Sequence, residues 1–234
     1  MKAAQEMCAL VLVVSSAFGT IPAFGQSTVE PVSTAEKPIF RLGDSWIFGP
    51  TPPTPATPEQ MSHQRVIEMT PQQTRISKAG GRFEIDLDST SNMTRDHDVV
   101  FNPSRDLLHF PMKVGDSWSG NYTYSSGDTH WVSHRASVDA TEVVHVVAGD
   151  FFAFRLTDSG TVQRMHNGML IRDYTFEATC WYAPSVKRVI KWTSKGYAGA
   201  QPQYDSQWEL HSFSLAPDAP VAASAAAQQT TGAQ

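Results

Sequence analysis

Arg82-Phe83-Glu84-Ile85-Asp86-Leu87-Asp88 alternates charged and apolar residues without a fault. Successive side chains of an extended chain point to opposite faces, so this segment reads as a strand with one buried and one wet face. The same period returns in Trp118-Ser119-Gly120-Asn121-Tyr122-Thr123-Tyr124, whose even positions form an aromatic face. It returns again in Tyr174-Thr175-Phe176-Glu177-Ala178-Thr179-Cys180, which puts Cys180 on the apolar side. Further strands are expected at Arg65 to Met69, Thr74 to Ser77, Asp98 to Phe101, Leu107 to Phe110, His130 to Asp139, Glu142 to Val147, Phe151 to Thr157, Val186 to Trp192 and Gln207 to Phe213. Gly149-Asp150, Asp158-Ser159-Gly160 and Asn167-Gly168 punctuate them at hairpin-like spacings. No long stretch here shows a capped 3.6-residue apolar period. The expected fold is mainly β and mainly antiparallel, with hairpin connections and little helix.

Outward from this region, residues 40–215 are expected to form one β domain, since their length suits a single core. A Pro-rich loop at 50–58 interrupts it, because proline removes donors and fixes φ. Upstream, Lys2, the apolar run Cys8 to Val14 and the small residues Ala23 and Gly25 mark residues 1–25 as a signal peptide cleaved before Gln26. That run is far shorter than the ~20 residues of a membrane span. The chain is therefore expected to be periplasmic or secreted, with no stable membrane anchor after signal removal. Residues 26–39 read as a flexible segment and 216–234, rich in Ala, Gln and Thr, as a disordered tail.

The formal net charge is −5 and no Lys/Arg cluster occurs, so nothing is built to grip nucleic-acid phosphates. Cys8 falls in the signal, which leaves Cys180 alone and no intramolecular disulfide. Its place on an apolar face reads as an inert buried thiol.

One internal echo stands out: Leu42-Gly43-Asp44-Ser45-Trp46 returns as Val114-Gly115-Asp116-Ser117-Trp118. Glycine takes a positive φ, Asp or Ser bonds the turn backbone, and a buried tryptophan opens the next strand. The flanking residues do not match, so a repeated turn device is the reading, rather than a duplicated domain.

Three segments together, Phe110-Pro111-Met112-Lys113-Val114-Gly115-Asp116-Ser117-Trp118, then Val147-Ala148-Gly149-Asp150-Phe151-Phe152-Ala153-Phe154-Arg155, then Cys180 to Lys191, resemble a loose group of exported bacterial proteins, the domain-of-unknown-function 3108-like set. Such domains look similar to the half-open sheets of periplasmic lipoprotein carriers. The resemblance covers roughly the second half of the chain and implies export and a single antiparallel, curved or half-barrel sheet, not an activity. Carriers of that type lay helices against the open sheet, and no amphipathic helix is evident here.

His130 and His134 share a face with Val132, Ala136 and Val138. At ~3.3 Å per residue they stand about 13 Å apart, too far for one zinc that holds each nitrogen at ~2.0–2.1 Å. They read as histidines bonded within the sheet or at its rim. Asp96-His97-Asp98 reads as a solvated turn, since neighbours on an extended chain face opposite ways. No G-x-S-x-G, P-loop, dinucleotide or H-E-x-x-H motif occurs. Catalytic residues are thus unknown, and no cofactor or metal is expected.

Most of the tryptophans and tyrosines belong to a core. Trp131 and Trp181 fall opposite their strands' apolar residues, where each is either covered by a second layer or part of a recognition patch. The candidate binding residues are Trp118, Tyr122, Tyr124, Trp131, His130, His134 and Trp181. The leading reading is an exported, non-enzymatic binding domain offering an aromatic concavity to an apolar small molecule or an envelope protein, with Trp118, Tyr122, Tyr124, Phe152 and Phe154 lining the hollow. Two alternatives stay open: a hydrolase of an envelope or extracellular polymer using a carboxylate pair distant in sequence, and a structural subunit pairing through a strand edge.

Overall fold

A computed structural model describes residues 33–51, 57–166 and 169–217. The expected signal peptide with residues 26–32, the middle of the Pro-rich segment, the turn expected at Asn167-Gly168 and the expected tail from 218 on lie outside the described residues.

The strands are β1 (Thr34–Ala35), β2 (Ser45–Gly49), β3 (Ser62–Met69), β4 (Gln73–Lys78), β5 (Phe83–Asp88), β6 (Met93–Asp96), β7 (Val99–Arg105), β8 (Met112–Lys113), β9 (Ser117–Ser126), β10 (Asp128–Val146), β11 (Gly149–His166), β12 (Met169–Ala183), β13 (Arg188–Ala198) and β14 (Gln201–Ser214). Among the described residues the only helical pieces are two 3-10 turns, Pro58–Gln60 and Ala79–Gly81. Twelve strands form one antiparallel sheet that closes into a barrel in the order β10-β11-β12-β13-β14-β2-β3-β4-β5-β6-β7-β9. The fold is mainly β, as the alternation requires, and the half-barrel becomes a closed one. Closure depends on two ladders that are not tight hairpins, β7 with β9 and, between the two ends of the domain, β14 with β2. Period two reports which face is wet, and it does not report such partners.

Three local expectations change. Leu107 to Phe110 is not a strand but an irregular connection held by Asn92, whose Oδ1 accepts from the Leu107 and Leu108 N–H groups at 2.9 and 2.8 Å. Asp158-Ser159-Gly160 is not a turn but the interior of β11. In the segment expected to be flexible, β1 pairs with β8, and Ala35 is buried opposite Met112.

Gly160 belongs to an interior row that crosses six strands: Gly120, His134, Gly160, Phe176, Gly196 and Tyr204. Glycine alternates with a large ring, because a strongly curved inner face cannot seat a large side chain at every place. A β-carbon on Gly160 would lie 2.3 Å from the Ser133 carbonyl oxygen, and one on Gly196 2.3 Å from the Tyr204 ring.

The outer face carries Ser133, Arg135, Glu177, Thr179, Thr193 and Lys195, while Val132, Ala136, Leu156, Ala178 and Trp192 point inward. This polar-out, apolar-in pattern is the inverse of a lipid-facing barrel. Among the described residues no helix is long and apolar enough to cross a membrane. Gln201 to Trp208 in β14 pairs with β13 alone. Pro202 and the Lys195-paired Asp205 sit on that edge and blunt it against further pairing.

The two echoed turns are one device. Gly43 and Gly115 have φ of 92° and 94°. Asp44 Oδ2 and Asp116 Oδ2 each accept the backbone N–H three residues earlier at 2.9 Å. Gly43 N–H and Asp44 carbonyl bracket Val66 in β3 as Gly115 N–H and Asp116 carbonyl bracket Val138 in β10. The tryptophans that follow differ: Trp46 is fully buried, whereas Trp118 is half-buried, a correction to the expected pair of buried anchors.

Candidate functional site

Two packed clusters fill much of the interior, one around Trp46, Ile76 and Ile85 and one around Phe154 and Tyr182, and space remains between them and the strands. Beneath β10 to β13, Val138, Phe154, Leu156, Cys180 and Tyr182 pack with Ala35, Leu107 and Met112, so the β1–β8 piece plugs that side. Residues of β2 to β7, β13 and β14 line a partly open cavity of about 580 Å³.

Along that wall runs a row of rings. Phe48 meets Trp208 edge-on at 5.1 Å between centroids, and Trp208 stacks with Trp192 at 6.3 Å. Each end of the row carries a guanidinium. Arg188 Cζ lies 6.0 Å from the Phe48 centroid and 5.1 Å from that of Trp46, and Arg105 Cζ lies 4.6 Å from that of Trp192. These are cation–π distances. Arg188 donates to Gln64 Oε1 at 2.8 Å, while its Nη1 and Arg105 Nε are buried with no hydrogen-bond partner.

A second cavity of about 290 Å³ adjoins the first, and Val99, Phe101 and Arg105 wall both. Its own lining includes Tyr122, Tyr124, Tyr174 and Tyr204. Tyr124 and Tyr174 share a hydroxyl–hydroxyl hydrogen bond at 3.0 Å, and burial pushes the Tyr122 phenol up to about 12.

The sequence-derived candidates separate. Tyr122 and Tyr124 line the smaller cavity; Phe152 and Phe154 line neither, and Phe154 is packed solid in the core. Trp118 lines neither, being stacked on His109 at 4.3 Å with its Nε1 donating to the Asp106 carbonyl. His130 stacks on Tyr124 at 4.6 Å, with its Nε2 3.6 Å from Asp173. His134 is sealed in the wall, its Nδ1 2.9 Å from Asp158 Oδ1, and neither partner reaches a cavity.

Trp131 and Trp181 are both half-buried on the outer face and do not form one patch. Trp181 is level with Arg155 and through it Ala140, nine residues along β10 from Trp131, so about 30 Å separates them at ~3.3 Å per residue. Trp181 is occupied locally, its Nε1 donating to Glu142 Oε1 at 2.6 Å beside Lys191. Among the described residues no three His, Cys, Asp or Glu side chains group so as to hold a metal.

Arg105, Arg188, Phe48 and Trp208 are the residues that sequence reasoning passed over. A signal existed for Arg188: it shares parity with Ile190 and Trp192, which places a charge on the apolar face of its strand.

Cys180 is buried, and burial pushes its thiol well above the ordinary range. Labelling by a maleimide is expected to be slow in the native protein and fast once it is unfolded. Rapid native labelling would place the thiol outside this core.

No protein-family model matches the chain, and no curated protein matches it. Two solved structures show similarity to the chain. One, described as an exported protein with YmcC-like fold from Bacteroides fragilis, is 15% identical, has a TM-score of 0.43, and matches over 77% of this chain and 99% of its own. The other, described as a lipoprotein from Parabacteroides distasonis, is 10% identical with the same TM-score and the same coverage.

Proposed function

We propose that this chain is an exported, non-enzymatic binding domain that holds an apolar small molecule inside its barrel. The supporting observation is the cavity of about 580 Å³ with its row of Phe48, Trp208 and Trp192, and with Ile85 and Leu87 in its wall. That volume sits inside the roughly 300–1,000 Å³ span of small-molecule sites, which are mostly apolar with a few placed polar groups. Export rests on the N-terminal pattern of residues 1–25. The buried His134–Asp158 pair offers no reacting group to either cavity, so the geometry favours holding over chemistry.

A naphthylamine dye that brightens in apolar surroundings tests this directly. Wild type is expected to bind it with saturation and to quench or shift its own tryptophan emission, because Trp192 and Trp208 line the space. Met93, half-buried on the cavity wall, is the place to fill it. Met93→Trp is expected to weaken dye binding at least tenfold while far-UV circular dichroism stays unchanged. Absence of saturable binding to wild type, or full binding to a folded Met93→Trp variant, would overturn the proposal.

A further inference from the structure

We infer that the molecule held in the larger cavity is an amphiphile with an oxyanion head, a carboxylate or phosphate on a long apolar chain, with the head at Arg188 and the chain along the Phe48, Trp208 and Trp192 row. This rests on reading the barrel as a small-molecule vessel. In a chain of net charge −5, the cavity wall carries four cations, Lys78, Arg105, Lys187 and Arg188, and one carboxylate, Asp96. Two of the cations are already neutralised, Lys78 by Asp96 at 2.9 Å and Lys187 by Asp44 at 2.7 Å. Among the described residues neither arginine forms an ion pair with a carboxylate.

Arg188 is the sharper case. Arg188 is largely buried and lines the cavity. Its partners are a neutral amide and two ring faces, with Nη1 left over. An arginine does not shed its proton at ordinary pH, so a buried guanidinium without a counter-ion carries an unmet desolvation cost. An entering carboxylate or phosphate meets that cost with charge-assisted bonds to the planar fork. Burial already lowers Arg188 to about 10, with Asp96 opposing from longer range. Arg105, at the junction of the two cavities, adds a second uncompensated positive charge whose field draws an anion inward. The ring faces between the two arginines suit an alkyl chain.

The test uses one chain length with three heads: dodecanoate, dodecyl phosphate and dodecanol, titrated into the exported protein and followed by tryptophan emission. Wild type is expected to bind an anionic head at least tenfold more tightly than the alcohol. Tighter binding of dodecanoate points to a fatty acid as the source, and tighter binding of dodecyl phosphate to a phospholipid-derived ligand. Arg188→Met, which keeps the bulk and removes the charge, is expected to abolish the head preference while far-UV circular dichroism stays unchanged. Its ligand-free melting temperature is expected to be equal to or above that of wild type, since an uncompensated buried charge has gone. Arg188→Lys is expected to recover part of the preference. Equal affinity of wild type for dodecanoate and dodecanol overturns the oxyanion assignment and leaves the vessel intact. An undiminished preference in Arg188→Met overturns the assignment to Arg188. Failure of all three compounds to bind removes the vessel reading itself.

Discussion

Trp46→Ala is expected to cost about 3–5 kcal/mol of unfolding free energy, the range for deleting a large buried aromatic side chain. Trp46 has no exposed surface, meets Phe40 edge-on at 6.0 Å, and donates its Nε1 proton to the Val186 carbonyl at 2.9 Å. Truncation leaves both a void and a buried carbonyl without its donor, and it strips one ring from Arg188. Against the roughly 5–15 kcal/mol that a domain possesses, this approaches the limit of folding. Trp118→Ala, at the equivalent place in the second turn, removes a half-buried ring and is expected to cost markedly less. Urea denaturation of the two variants measures the difference. Equal losses would show that the turn, and not the burial of its tryptophan, sets the energetics.

Asp44→Ala is the second large effect, again about 3–5 kcal/mol, because it removes one partner of a buried ion pair. Asp44 is fully buried and ties three segments together. Its Oδ2 accepts from Arg41 N–H at 2.9 Å and Lys187 Nζ at 2.7 Å, and its Oδ1 from Ala216 N–H at 2.8 Å. The variant strands a mostly buried ammonium and two backbone donors. Asp116, its twin by sequence, caps only its own turn, so Asp116→Ala is expected to lose about 1 kcal/mol, the worth of one such bond. A thermal melt of Asp116→Ala as depressed as that of Asp44→Ala would contradict this account.

The contrast between the twins shows what was legible in the sequence. The turn is local, so its glycine, its aspartate and the strand that follows could be read from five residues. Burial is not local: whether Asp44 meets Lys187, or Trp46 meets Val186, depends on where the chain returns more than a hundred residues later. The alternation of Arg82 to Asp88 and of Trp118 to Tyr124 identified strands for the same local reason. Gly160 misled for the converse reason. Glycine usually signals a turn, and here it makes room for Phe176 and for the β10 backbone at Ser133 and His134. The candidate site was legible only in its aromatic part, Tyr122 and Tyr124. Phe48 and Trp208 come together from opposite ends of the domain, and no periodicity announces that.

The closing ladder between β2 and β14 bears on when this protein can fold. Ser45 and Ser214 face each other across it, 169 residues apart in the chain. Loop-closure entropy must be overcome before such a contact stabilises anything, so all-β domains with distant pairings fold slowly, in milliseconds to seconds. A chain that emerges from its N-terminus therefore holds β2 paired at most with β3 until β14 arrives. During that interval Trp46, Phe48 and Ile47 are exposed to whatever else is nearby. A holdase-type chaperone that meets the chain before β14 arrives has a defined apolar segment to shield.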